Sequence, residues 1–335
     1  MSTRLRVGVC LSLSGRFARF GTQAAMGLQV WRSLDDAADL IIEDDHSDLR
    51  RLAATLPEVA GGCDVLLGPY STQLMRVAGE FAADTGRLIW NHGGSGDDVE
   101  GAHPGHIVSV LTPASRYADP FLRRLARVRE PRTLFLAYGR GSFGRQVTAG
   151  AETTARALGI DTVRLGPQDD LPAVEAASGW SLFCAGLFEE DTRTVIRALA
   201  LPNPPEVICA VAAGIREFGL AVPDPEGIFG VGQWAPYSGR RAEIGPSEGE
   251  FLAAYAARTG ALPDYPAVQA AATAALATHC ARTAGGTSRD LIWSAASELD
   301  TSTLFGRFTI DPLTGIQTGH EATLVRWAPE GPAPV

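Results

Sequence analysis

The chain has no run of basic residues. Its 335 residues carry 29 Lys and Arg against 38 Asp and Glu, a formal net charge of −9. A phosphate backbone is bound through clustered Lys and Arg, so this balance argues against a nucleic-acid partner. Long apolar runs are missing too: none approaches the ~20 residues of a membrane span. Cysteine is sparse. Cys10, Cys63, Cys184, Cys209 and Cys280 are odd in number, scattered and without a CxxC pair. That pattern speaks for reduced, buried thiols rather than a disulfide framework or a zinc site. Paired carboxylates and a Cys/His set of catalytic spacing are also absent, so no cofactor, metal or catalytic residue is expected. Arg4 and Arg6 precede an apolar run too short for a secretory signal and broken at Ser14-Gly15. As written, the chain is expected in the cytoplasm; with a leader removed, it would belong in the periplasm or at the cell surface.

What is present is alternation. Short apolar strands are read at Leu5–Leu11, Leu40–Ile42, Val65–Leu67, Leu88–Trp90 and His106–Leu111. Helices are read between them at Thr22–Ala37, Asp48–Val59 and Ser71–Thr85. The rhythm then restarts. Helices at Arg116–Val128, Arg145–Leu158, Leu171–Ser178 and Glu190–Ala200 alternate with strands at Thr133–Tyr138, Thr162–Leu165, Trp180–Cys184, Glu206–Val211 and Gly227–Val231. Buried strands alternating with amphipathic helices indicate parallel sheets covered on both faces. Two such series predict an α/β chain of two doubly wound domains. Three further helices, Glu248–Arg258, Pro266–Ala284 and Ser288–Leu299, precede strands Leu304–Ile310 and Thr323–Trp327. The proline-rich end, Ala328–Val335, is expected to fray.

In an open parallel sheet, ligands bind beyond the carboxyl ends of the strands. Several of those ends are polar, glycine-rich or aromatic. They are Ser12-Leu13-Ser14-Gly15-Arg16-Phe17, Gly68-Pro69-Tyr70-Ser71-Thr72 and Asn91-His92-Gly93-Gly94-Ser95 in the first series. In the second they are Tyr138-Gly139-Arg140-Gly141-Ser142-Phe143, Gly186-Leu187-Phe188-Glu189 and Gly232-Gln233-Trp234. One such turn is ordinary. Six of them at equivalent places read as the rim of a ligand site.

Taken in order, Ser12-Leu13-Ser14-Gly15 with Gly21 and Gly27, Gly68-Pro69 with Ser71-Thr72, Gly93-Gly94-Ser95 and Phe143-Gly144-Arg145 resemble a known family. So does Phe305-Gly306-Arg307-Phe308-Thr309-Ile310-Asp311 with Thr314-Gly315 and Gly319-His320. The family is the type I periplasmic solute-binding proteins, in its leucine/isoleucine/valine- and amide-binding branch, which serve ABC importers. The resemblance implies two Rossmann-like lobes joined by a three-strand hinge, with the ligand in the cleft. Lobe one would be residues 1–114 plus 247–310, and lobe two 115–246 plus 311–330, leaving 331–335 as a tail. It implies non-catalytic binding of an amino-acid-like, amide or carboxylate solute, with an ABC permease as partner. Ser71, Thr72, Gly94 and Ser95 fall on the positions that hold a ligand carboxylate. Phe143 falls on one flanking aromatic position, Leu187 or Phe188 on a second, and Gln233-Trp234 near the family's acidic partner for an amino group. Neither of these two is a carboxylate, and Asn91-His92 replaces the usual Ser-Pro pair, so the ligand is expected to differ from leucine. Arg16 and Phe17 complete the expected rim, Arg16 as an attractor of anions.

Other readings compete. A cytoplasmic sensor of the same fold is one. An NAD(P)-dependent enzyme is another, because Gly139-Arg140-Gly141-Ser142-Phe143-Gly144 is a GxGxxG between a strand and a helix. The next strand, Thr162–Leu165, ends without the acid that would hold the ribose. His92-Gly93-Gly94 suggests an esterase oxyanion loop, but no G-x-S-x-G elbow accompanies it. The turn Asp44-Asp45-His46-Ser47-Asp48 lacks the glycine and distal glutamate of a calcium loop.

The cysteine reading has a direct check. Thiol titration in denaturant, without reductant, should count all five; three or fewer reactive groups would contradict it.

Overall fold

The computed structural model describes every residue except 1–3, 36–37, 128–132, 168, 170, 172–178, 238 and 240. The helix expected at Leu171–Ser178 therefore falls almost wholly outside the described residues.

Five strands make the first sheet: β1 Leu5–Leu11, β2 Ala38–Asp44, β3 Val65–Leu67, β4 Ile89–Asn91 and β5 Ile107–Ser109. All neighbours pair in parallel, in the order β2-β1-β3-β4-β5. The chain moves outward from β1 to β2 and returns past β1 to β3. That reversal opens a crevice at the carboxyl ends of β1 and β3. One sheet face buries Cys10, Leu66, Ile89 and Ile107 with the apolar stripes of helices Leu49–Gly62 and Thr72–Thr85. The other face carries buried Val7, Val9, Leu67 and Trp90, and helices Ala18–Leu34 and Tyr265–Thr283 lie on that sheet. Alternation of side chains across the sheet makes both faces apolar.

In the second sheet, β6 Leu134–Tyr138, β7 Thr162–Leu165, β8 Ser181–Ala185, β9 Val207–Ala210 and β10 Phe229–Gly232 repeat the pattern as β7-β6-β8-β9-β10. Phe183 and Cys209 face one core, Leu182 and Ile208 the other. A hairpin of β11 Thr301–Thr303 and β12 Gly306–Phe308 stands apart. Then β13 Thr323–Ala328 joins β10 antiparallel and β14 Gly331–Pro334 joins β13.

Contacts divide the chain into two units, residues 1–112 with 236–320 and residues 113–235 with 321–335. The three helices after residue 247 thus belong to the first unit. Segments 236–246 and 311–320, assigned by resemblance to lobe two, also pack with the first unit. Glu243 and Ile244 donate backbone bonds to Ser302 O, and Gln317 Nε2 donates to Val110 O at 3.1 Å.

Several elements differ from expectation, each for a local reason. The strand read at Leu304–Ile310 is half a hairpin: Leu304 and Phe305 form its turn, and both are buried. Phe305 stacks on His320 at 4.2 Å, so the turn is apolar because it faces inward. The end read as frayed is a strand, since proline is tolerated on a sheet edge and Pro332 and Pro334 lie in the outermost strand. The helix read from Arg116 is a 3-10 turn at Ala114–Arg116 followed by a helix at Asp119–Arg127. Pro120, having no N–H, sits in the first turn of that helix, where no donor is needed.

Helix Ala18–Leu34 starts one turn before the expected Thr22. It also packs closely on another helix: a Cβ on Gly27 would stand 2.0 Å from Ala267 O. The alanines of Tyr265–Thr283 permit that approach. By contrast, a Cβ on Gly61 meets nothing within 4 Å. Urea denaturation should therefore separate the two. Gly27→Ala should lose about 1–3 kcal/mol by overpacking, while Gly61→Ala should be neutral or gain up to ~1 kcal/mol from helix propensity. Equal effects would contradict the helix packing.

Candidate functional site

At the first switch point, the loop after β1 is held from beneath by the acidic turn. Asp44 Oδ1 accepts from Leu13 N at 2.9 Å and from His46 N at 2.8 Å, and Asp44 Oδ2 accepts from Ser14 Oγ at 2.7 Å. Burial works against the charge on Asp44, yet these hydrogen bonds hold its pKa below the usual value. Ser12 Oγ donates to the buried Asp45 at 2.6 Å, and Ser47 N donates to the same oxygen at 2.8 Å. His46 and Ser47 take φ of 55° and 57° so that the turn can fold back on the loop. The acidic turn is therefore a brace. No group of three His, Cys, Asp or Glu suited to a metal ion occurs among the described residues.

Beyond β3, Ser71 is the N-cap of helix Thr72–Thr85. Its Oγ accepts from Leu74 N at 3.3 Å and its own N–H donates to Gly93 O at 2.9 Å. Its φ of 102° and ψ of 147° are strained for a residue with a side chain. Thr72 Oγ1 accepts from Gly96 N at 3.1 Å. The loops after β3 and β4 thus lock together; of the residues they carry, Ser71 is half-buried and Thr72, Gly94 and Ser95 are buried.

Aromatic rings stand beside them. Tyr70 stacks on Phe20 with centroids 4.6 Å apart and planes 11° apart, and lies 6.4 Å from Phe17. Tyr70 and Tyr265 share a hydroxyl hydrogen bond of 2.7 Å across 195 positions of sequence. Arg16 lies 4.4 Å over the Phe17 ring and donates to Gln73 Oε1 at 2.8 Å. Phe20 and Tyr265 lie outside the rim turns read in the sequence, and Tyr70 enters them only as part of Gly68-Pro69-Tyr70-Ser71-Thr72. Tyr70 carried a signal, standing between Pro69 and Ser71; Tyr265 carried none, because only folding brings it near.

Asn91 and His92, expected to meet the ligand, are fully buried. Asn91 Oδ1 accepts from Gly93 N at 3.1 Å and Gly94 N at 2.8 Å; Nδ2 donates to Gly94 O at 2.7 Å, Ser109 Oγ at 2.6 Å and Glu100 Oε1 at 3.2 Å. The Gly94 amide is thus spent inside the loop. Gly94 is small because Met75 crowds it: a Cβ there would lie 2.5 Å from that side chain. Ser109 Oγ donates to Glu100, which lies in the same buried knot. Burial lifts the Glu100 carboxyl to about 7 against the hydrogen bonds of Ser109 and Asn91. Burial also pushes His92 down to about 4. Neither of its ring nitrogens meets a partner in good geometry, although the Gly68 carbonyl lies close enough to oppose the shift. His92 is a neutral imidazole beneath the loop.

In the second unit, Phe143 is half-buried and meets Tyr117 edge-on at 5.4 Å. Phe188 opens helix Phe188–Leu199 and packs on the core. Gln233 and Trp234 are buried. Beneath the Gly139–Gly144 loop, the Glu190 carboxylate accepts from Leu187 N at 2.9 Å and Arg140 N at 3.4 Å. A dinucleotide would need its pyrophosphate at that glycine turn, where Glu190 already stands, 1.8 Å from a notional Cβ on Gly139. Asp191 beside it accepts from Gly186 N at 2.5 Å and Ala212 N at 3.1 Å, and burial raises it to about 7.

The Glu100 shift sets a direction with pH. Its folded pKa, about 7, exceeds its ordinary value of 4.5. The stability it contributes is complete below the ordinary value and is lost as pH rises through about 7. Glu100→Gln keeps the acceptor and copies the protonated form. At pH 8 the variant should be more stable than the parent, by on the order of 2 kcal/mol, and the gap should close near pH 5. Denaturant melts at the two pH values check it; a gap independent of pH would contradict the assignment.

With the geometry in place, comparison with known proteins is informative. No curated protein matches the chain in sequence. Among solved structures, a leucine-binding protein from Thermotoga maritima superposes with a TM-score of 0.82 at 12% identity, over 99% of this chain and 97% of that one. An ABC transporter substrate-binding protein from Desulfitobacterium hafniense, in complex with Leu, gives 0.81 at 16%, over 99% and 100%. A solute-binding protein of an ABC transporter from Rhodopseudomonas palustris BisB5, in complex with 3,4-dihydroxybenzoic acid, gives 0.78 at 14%, over 99% and 96%. At these identities the likeness shows the shared fold. The family described as "Periplasmic binding protein" matches residues 4–332, and the chain belongs to it.

Proposed function

We propose that this chain binds a small organic solute without altering it and serves as the substrate-binding component of an ABC-type importer. The observation that carries the reading is Ser71. A strained serine caps a helix at the switch point, with its neighbours locked by two loops and a set of aromatic rings beside it. Strain is retained where the surroundings over-determine it, and it gathers at ligand sites. Helix N-termini favour carboxylate or carbonyl oxygens. The polar end of the solute is assigned to Ser71, Thr72 and Ser95, and its apolar part to Phe17 and Tyr70. Asn91, His92 and Gly94 act through the loop they shape. The relatives bound to leucine and to 3,4-dihydroxybenzoic acid support a small carboxylic acid or a close analogue as cargo. No described helix is long and apolar enough to cross a membrane, so translocation would fall to a separate permease.

A thermal-shift screen over amino acids, amides and aromatic acids should find a stabilising solute, recovered unchanged by mass spectrometry. Ser71→Ala and Ser95→Ala should each weaken it roughly tenfold, the effect of one lost buried hydrogen bond. Calorimetric titration reads the change, with folding checked by circular dichroism. Unaltered affinity in both variants would place the site elsewhere.

A further inference from the structure

We infer that the solute is an aromatic carboxylate that carries no amino group. The inference rests on the solute-binding reading above and narrows it to one chemical class.

A desolvated ammonium needs an ionised carboxylate or several carbonyls pointed at it. Most carboxylates at the described strand ends have other work, and Glu43, at the end of the outer strand β2, is exposed to solvent. Asp44 and Asp45 brace the loop after β1. Glu100 is enclosed with Asn91 and Ser109. Glu190 and Asp191 hold backbone amides after β6 and β8. Glu189 lies in the first turn of helix Phe188–Leu199, where the dipole favours its charge, and Asp97 precedes the short helix Asp98–Gly101. After β9 and β10 the chain reads Val211-Ala212-Ala213 and Gln233-Trp234-Ala235, with no acid at all.

The opposite charge is available. Arg16 is exposed at the edge of the first switch point, 4.4 Å over Phe17. Its guanidinium donors suit a carboxylate and have nothing to offer an ammonium. The Phe17 and Tyr70 rings beside it are inclined at 56°, and the Tyr70 ring is backed by Phe20. Two inclined aromatic planes favour a flat ring set face-on to one and edge-on to the other. Hydroxyls, a guanidinium and ring faces together describe a benzoate-like acid.

Calorimetry at pH 7.5 with benzoate, 4-hydroxybenzoate, benzamide, phenylalanine and leucine tests the class. One of the two benzoates should bind at least ~10-fold tighter than benzamide, phenylalanine or leucine. Arg16→Gln, a surface change that leaves the core intact, should lower benzoate affinity several-fold and leave benzamide unmoved. Tyr70→Ala should weaken benzoate by roughly tenfold and Tyr70→Phe much less; the second variant guards against misfolding of the first. Tighter binding of leucine or phenylalanine, or parity of benzamide with benzoate, would overturn the class while the solute-binding reading stands. If neither benzoate binds, the class falls. If the broad solute screen is also empty, the solute-binding reading falls with it.

Discussion

The rim of the first unit depends on one buried amide. Asn91 holds two loop N–H groups on its oxygen and shares its own hydrogens among Gly94 O, Ser109 and Glu100. Without it, the turn after β4 would have unpaired backbone groups in a closed interior, at about 1–3 kcal/mol each. The turn gives its Gly93 carbonyl to Ser71 N and its Gly96 amide to Thr72. The strained backbone at Ser71 is thus held by neighbours that are themselves fixed by Asn91. A polar side chain inside the fold sets the geometry of hydroxyls at its edge.

The same logic recurs with carboxylates. Asp44 and Asp45 at the end of β2, and Glu190 and Asp191 in the first turn of helix Phe188–Leu199, each accept backbone amides from a loop. Each fixes a turn that would otherwise present free N–H groups. In a chain of net charge −9 these acids are engaged by loop amides, while Arg16 stands exposed over the Phe17 ring.

Twin sheets with the same strand order place equivalent turns at equivalent positions in each unit. The polar turns noticed in the sequence follow from that repetition. The glycines within them serve contact more than flexibility. Gly144 allows its helix to meet Ala185 O, where a Cβ would lie 2.0 Å away, and Gly27 does the same for two helices. The GxGxxG spacing in the second unit has the same origin, since its loop rests on Glu190 and not on a phosphate-binding amide cradle.

The sequence by itself determined the class of the fold. Short apolar or β-branched runs and period-3.6 patterns are local, so strands such as Val65–Leu67 and Thr162–Leu165 and the succession of helices were legible residue by residue. The loops that carry Ser71 and Ser95 were also legible, because each follows an apolar strand within four residues. Tertiary structure alone decided what depends on distant partners. It turned Asn91 and His92 inward, paired Tyr70 with Tyr265, folded Leu304-Phe305 into a buried turn against His320, and placed Pro332 and Pro334 on a sheet edge. Those outcomes hang on contacts between residues far apart in the chain, and a local pattern of polarity carries no record of which side of a strand end will be closed from water.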